Sequence, residues 1–168
     1  MELPWRDLED ANCWTPYCWT VAFMFASVLE APQAKRVEVE KRSTILIVDD
    51  DEALADVLSR RLRQQEFDPI TANSGQAGLA KARSERPALI ILDLRLPDID
   101  GLAICEQLAD EPTTCEIPVI ILSGMEKPDI LRQCRAAGCH YFVRKPYDPN
   151  ALLILIRQAI RESRQWGE

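Results

Sequence analysis

The chain has 168 residues, room for one ordinary domain and a short appendage but not for two full domains. Its 47% hydrophobic and 28% charged residues are the balance of a soluble globular protein. With 20 basic against 27 acidic residues the net charge is -7 and no basic run stands out, so direct nucleic-acid binding is not expected.

Residues 1–43 differ in character from the rest. They hold Trp5, Trp14 and Trp19, and an apolar run from Val21 to Leu29 broken by Ser27. That run is too short for a bilayer, which needs about 20 residues. Glu2, Asp7, Glu9 and Asp10 outnumber Arg6, the reverse of a secretory leader. Ala31 to Arg42 is polar, carries Pro32 and reads as a linker. Two readings stay open: a leader with no fold of its own, which we favour, or a short aromatic helix that docks on a partner. A cytoplasmic protein without membrane attachment is the expectation.

From residue 44 onward, short apolar runs alternate with amphipathic stretches. Thr44–Val48 is an unbroken β-branched run, as expected of a strand buried on both faces. Glu52 to Gln65 places Leu54, Val57, Leu58 and Leu62 on one helical stripe, with Arg60, Arg61 and Arg63 largely opposite. A weaker strand is expected at Ile70 to Ala72, then a helix capped by Ser74 and running to about Glu85. Ala88 to Leu92 is a second buried strand, and a helix from Leu102 to Ala109 follows Asp100-Gly101. Ile117 to Leu122 predicts the next strand, with a helix from Pro128 to Ala137 ending at Gly138. Tyr141 to Val143 predicts the last strand, and Pro149 opens a final helix to Ser163, leaving a tail of 164–168. Five β-α units in strict alternation predict an α/β fold with a parallel sheet, helices on both faces and right-handed crossovers.

Ligands of such sheets bind beyond the carboxyl ends of the strands. The first strand stops at Asp49-Asp50-Asp51, the third at Asp93 and the fourth at Ser123-Gly124, while Lys145-Pro146 follows the fifth. Two carboxylates about 4 Å apart repel by about 4 kcal/mol at an effective dielectric near 20. A cluster of Asp49, Asp50 and Asp93 therefore calls for a compensating cation, and Mg²⁺ is the natural one. A carboxylate beside such an ion can act as a nucleophile on phosphorus, with Lys145 and Ser123 neutralising the transferring oxygens. Taken singly, each residue except Asp93 has a plain explanation. Asp50 or Asp51 caps a helix, Asp100-Gly101 is a turn, and Ser123-Gly124 and Lys145-Pro146 are surface turns.

At these residues the sequence resembles a response-regulator receiver domain. The matching segments are ILIVDDDE (45–52), LIILDLRLPDIDG (89–101), VIILSG (119–124) and YFVRKPY (141–147), and the likeness covers about residues 44–163. It implies a flavodoxin-like, doubly wound five-stranded sheet in the order 2-1-3-4-5. It also implies Asp93 as phosphoacceptor and Asp49 and Asp50 as the acidic pair. Asp50 is expected on Mg²⁺ directly and Asp49 through water, with the Arg95 backbone carbonyl as a further ligand. Ser123 matches the switch hydroxyl, where threonine is more frequent. Lys145 matches the lysine of the site, whose bond to Pro146 is expected to be cis. Phe142 falls at the switch aromatic position but lacks the phenolic hydroxyl of the commoner tyrosine. Arg95 stands where the family tunes dephosphorylation.

The resemblance implies phosphoryl transfer from a sensor histidine kinase or a histidine phosphotransfer protein, and signalling to a downstream target protein. It implies a signalling phosphoacceptor rather than an enzyme in the ordinary sense. Only a few residues follow the last helix, so a stand-alone receiver is expected, with a homodimer through the last helix as a lesser option. Two other classes compete. A metal-dependent phosphatase with an aspartyl nucleophile wants a second Asp two residues after the first, where Arg95 stands. A phosphorylation-independent pseudo-receiver scaffold usually loses part of the acidic cluster or the lysine, and both are present here. Cysteines at 13, 18, 105, 115, 134 and 139 form no CxxC pair, and a lone His140–Cys139 neighbour pair falls short of a zinc site. They are read as structural thiols of a reducing compartment.

Overall fold

The structure, a computed structural model, describes residues 42–124 and 129–166. The aromatic extension, with Cys13 and Cys18, lies almost wholly outside them. Five strands, β1 (Thr44–Val48), β2 (Asp68–Ala72), β3 (Leu89–Leu92), β4 (Val119–Ser123) and β5 (Tyr141–Arg144), pair in parallel in the order β2-β1-β3-β4-β5. Five helices alternate with them: α1 (Glu52–Gln64), α2 (Gly75–Glu85), α3 (Gly101–Asp110), α4 (Ile130–Ala136) and α5 (Pro149–Trp166). The fold class and strand order are those expected.

Because side chains alternate across a strand, the apolar runs feed two separate core layers. Ile45, Ile47, Leu89, Ile91, Ile120 and Leu122 pack with α1 and α5. Leu46, Val48, Ile90, Leu92, Val119 and Ile121 pack with α2, α3 and α4. The inner strands are almost wholly excluded from water, and each such Leu or Ile contributes about 1.5–3 kcal/mol through burial. This rigid platform fixes where the strand ends point.

Differences from the sequence reading lie at element ends and on one helix face. Val57, expected on the apolar stripe of α1, is exposed, and Ala55 and Ser59 are buried beside Leu58 and Leu62 instead. The expected helix start at Pro128 lies outside the described residues. β4 starts at Val119, not Ile117, since Pro118 has no N–H; its carbonyl accepts from Ile90 N at 3.0 Å. β2 is longer than its weak signal and contains Pro69, tolerated because β2 is an edge strand. α5 runs to Trp166, so the expected tail is partly helix. Asp51 caps α1, accepting from Leu54 N at 3.0 Å, which leaves Asp50 for other work.

Gly101 carries a constraint that its reading as a turn residue understates. A Cβ there would fall 2.6 Å from Leu94 Cα and 2.8 Å from the Asp93 carbonyl oxygen, backbone atoms that cannot move aside cheaply. In an open helix alanine would gain up to about 1 kcal/mol over glycine. Here Gly101→Ala is expected to cost about 1–3 kcal/mol through overpacking. A urea midpoint that falls with unchanged slope checks this, and an unchanged midpoint would show that the loop has slack.

Candidate functional site

Three strands hand over directly to polar residues at their carboxyl ends, and the sheet ladder continues far enough to hold them. Asp49 N donates to Ala72 O at 3.1 Å, Asp93 N to Val48 O at 2.9 Å, and Lys145 N to Ser123 O at 2.9 Å. The site residues are therefore positioned by main-chain bonds to neighbouring strands, not by loop packing alone. Asp49, Asp93 and Ser123 are buried, while Asp50 is exposed at the rim.

The three carboxylates meet. One oxygen from each of Asp49, Asp50 and Asp93 lies within 4.8 Å of the others, the one such acidic or thiol group among the described residues. Lys145 Nζ sits 2.8 Å from Asp49 Oδ2 and 3.6 Å from Asp93 Oδ2. The other Asp49 oxygen accepts from Asp51 N at 3.0 Å, and Asp93 Oδ1 accepts from Leu94 N at 2.9 Å. Each buried carboxylate is thus tied at one oxygen by a backbone N–H, with its other oxygen near the ammonium.

Lys145 lies closer to Asp49 than to Asp93. Burial pushes the Asp93 carboxyl above the ordinary aspartate range; Lys145 opposes this, and the neighbouring Asp49 adds to it. Three carboxylates face one ammonium, so the site carries excess negative charge and offers only oxygen donors. That is the donor set a hard divalent cation such as Mg²⁺ takes, and the residues fit it.

The remaining expected residues lie around this centre. Ser123 ends β4, fully buried. Gly124 follows it: among the described residues a Cβ there would meet the Arg95 guanidinium alone, at 3.7 Å, so Arg95 reaches over the site from the loop after β3. Phe142 on β5 is half-buried and packs against the core layer of α2–α4. The Lys145–Pro146 bond is cis, as the resemblance implies.

Sequence reasoning missed Asp98. Its two carboxylate oxygens accept from Gly75 N at 2.8 Å and Gln76 N at 2.9 Å, capping the start of α2 from the loop after β3. Those backbone bonds hold its pKa below the usual range. Asp98 lies 23 residues from Gly75 in sequence, and no local pattern reveals a cap supplied from that far away.

With this geometry established, known proteins give the family. A sequence model described as the response regulator receiver domain matches residues 45–157. The chain belongs to the response-regulator receiver family. As a receiver domain it is a part of two-component signalling, whose members bind Mg²⁺ in an acidic pocket such as this one. It is similar to the DNA-binding dual master transcriptional regulator RpaA of Synechocystis, 34% identical over 119 residues, which span 71% of this chain and 49% of that protein. It is also similar to the response regulator PleD of Caulobacter vibrioides, 34% identical over 117 residues, covering 70% of this chain and 26% of PleD. The chain thus spans about half of the first relative and about a quarter of the second. A CheY-like receiver from Methanospirillum hungatei superposes with a TM-score of 0.71 at 27% identity, covering 74% of this chain and 98% of that one. A response regulator structure from Chloroflexus aurantiacus gives 0.68 at 29% identity, covering 72% and 99%. Among the described residues no helix is long and apolar enough to cross a membrane.

Proposed function

We propose that this receiver accepts a phosphoryl group on Asp93 from a phosphohistidine of a sensor kinase or phosphotransfer protein. The observation that carries this reading is the convergence of Asp49, Asp50 and Asp93 with Lys145 at one strand edge. Mg²⁺ held by Asp50, Asp93 and the Arg95 backbone carbonyl, with Asp49 acting through water, would neutralise charge on the transferring oxygens. Asp93 Oδ2 is the oxygen left for attack on phosphorus, because Oδ1 is held by Leu94 N. Lys145 stands beside that oxygen, where it pairs with negative charge that arrives on the phosphoryl group. Ser123 supplies a hydroxyl to one phosphoryl oxygen.

Arg95 reaches over the same site, which suits a residue that limits access of water to the aspartyl phosphate. Ser123 and Phe142 then bias the surface of α4, β5 and α5 between two states, and hydrolysis resets it. The output is a protein contact. The protein acts as a phosphoacceptor and not as a turnover enzyme. Intact acidic residues and lysine speak against a pseudo-receiver scaffold.

Incubation of the whole chain with a small acyl phosphate, with Mg²⁺ or with chelator, tests this by intact-protein mass. One labile phosphoryl group gained only with Mg²⁺ is the expected result. No gain, with a working receiver labelled in parallel, would turn the assignment toward a scaffold.

A further inference from the structure

Away from the carboxylate cluster, three thiols meet in the core layer under α2–α4: Cys105 on α3, Cys134 on α4 and Cys139 just before β5, all buried. The backbone fixes two of them. Gly138 leaves α4 with φ 81°; its N–H donates to Arg135 O at 3.2 Å, and Cys139 N donates to Cys134 O at 2.9 Å. This pair of bonds is a Schellman motif, which brings together the side chains at the positions held here by Cys134 and Cys139.

Helix α3 supplies the third thiol. A Cβ on Gly138 would lie 3.0 Å from Ala109 Cβ, so α3 is pressed against this turn. Cys105 is one helical turn before Ala109 on the same face, which sets it beside Cys139. The neighbouring thiols, Cys105 more than Cys134, favour the charged form of Cys139 and hold its pKa below the ordinary thiol range despite burial. Cys134 is pushed up to about 11, chiefly by burial, and Cys105 is raised by the neighbouring Cys139 and by burial.

We propose that Cys139 and Cys105 form an oxidation site, closed to an intramolecular disulfide by hydroperoxides. Cys139 is the entry point, being 8% exposed against 2% for each of the other two. Its thiolate attacks the peroxide; an S–O bond forms, the O–O bond breaks, and the leaving oxygen takes up a proton as water or alcohol. Cys105 sulfur then attacks the sulfenic sulfur; the S–S bond forms, the S–O bond breaks, and hydroxide leaves with the Cys105 proton as water. Two thiols are oxidised and one peroxide is reduced. Cys134 does not react and acts as a positioning residue, favouring the charged form of Cys139. The crosslink ties α3 to the turn that leads into β5, the strand carrying Phe142. It goes beyond the phosphoacceptor reading and stands without it.

The test treats the folded full chain with hydrogen peroxide, alkylates the remaining thiols under denaturing conditions, and maps unreduced peptides with fragment spectra. A Cys105–Cys139 link, with Cys134 and Cys115 alkylated, is the expected result. Full alkylation of Cys105 and Cys139, or a link through Cys13, Cys18, Cys115 or Cys134, would overturn it and leave the trio as packing alone. This mapping needs no variant. Cys105→Ala adds an independent readout, since Cys139 should then be trapped as a sulfenic acid by dimedone; a Cys139 that stays unreactive with Cys105 absent counts against the assignment.

Discussion

Asp93→Asn is expected to abolish labelling by a small acyl phosphate, lowering the labelled fraction by roughly two orders of magnitude or more, to assay background. The amide keeps the shape and the acceptor for Leu94 N, but its oxygen carries no charge with which to attack phosphorus. Neither Asp49 nor Asp50 substitutes, because Asp49 is held at both oxygens, by Asp51 N and Lys145, and Asp50 lies at the exposed rim. Labelling that persists in the variant would move the acceptor away from Asp93.

The same substitution has a stability signature of defined sign. The Asp93 carboxyl is raised by burial and by Asp49, so its charged form is disfavoured in the folded protein. Its contribution to stability is fully present below the unfolded-state pKa and is lost as pH rises through the folded-state value. With chelator present, Asp93→Asn should melt above the wild type at neutral pH, and the gain should fade as pH falls below the ordinary aspartate range. A variant less stable than wild type at neutral pH would show that the ionised carboxylate is net favourable there.

Lys145→Met carries the second large effect. It keeps most of the stem and removes the one ammonium that pairs with Asp49 at 2.8 Å and faces Asp93 at 3.6 Å. Removing one partner of a buried ion pair costs about 3–5 kcal/mol, and the partial exposure of Lys145 argues for about 2–3 kcal/mol here. The loss should be seen in chelator and largely recovered by Mg²⁺, because a divalent cation offsets the same excess of negative charge. The Mg²⁺-induced rise in melting temperature is therefore expected to be larger in the variant than in the wild type. Equal losses with and without Mg²⁺ would show that Lys145 acts through packing and not through charge.

Much of this protein is legible in the order of its residues. The apolar runs at β1, β3 and β4 lack strict alternation, and that signals strands buried on both faces, hence a parallel sheet with helices on each side. The acidic residues and serine at the ends of those runs, with the lysine after β5, mark the site, because a polar group directly after a buried run must lie at the strand's carboxyl edge. Local pattern also carries the caps Asp51 and Ser74, whose donors are three residues away.

Tertiary structure alone decided other features, for the common reason that they depend on partners far away in the chain. Lys145 pairs more closely with Asp49 than with Asp93 across 96 residues, and burial of Asp93 outweighs the opposing pull of Lys145 on its carboxyl. Asp98 caps α2 from another loop, and Gly101 is required by the backbone of residues 93 and 94. The cysteines look scattered in sequence, yet the turn at Gly138 and the press of α3 gather three of them. Periodicity and strand ends report which face a residue occupies, whereas the partner it meets there is set only when the layers close.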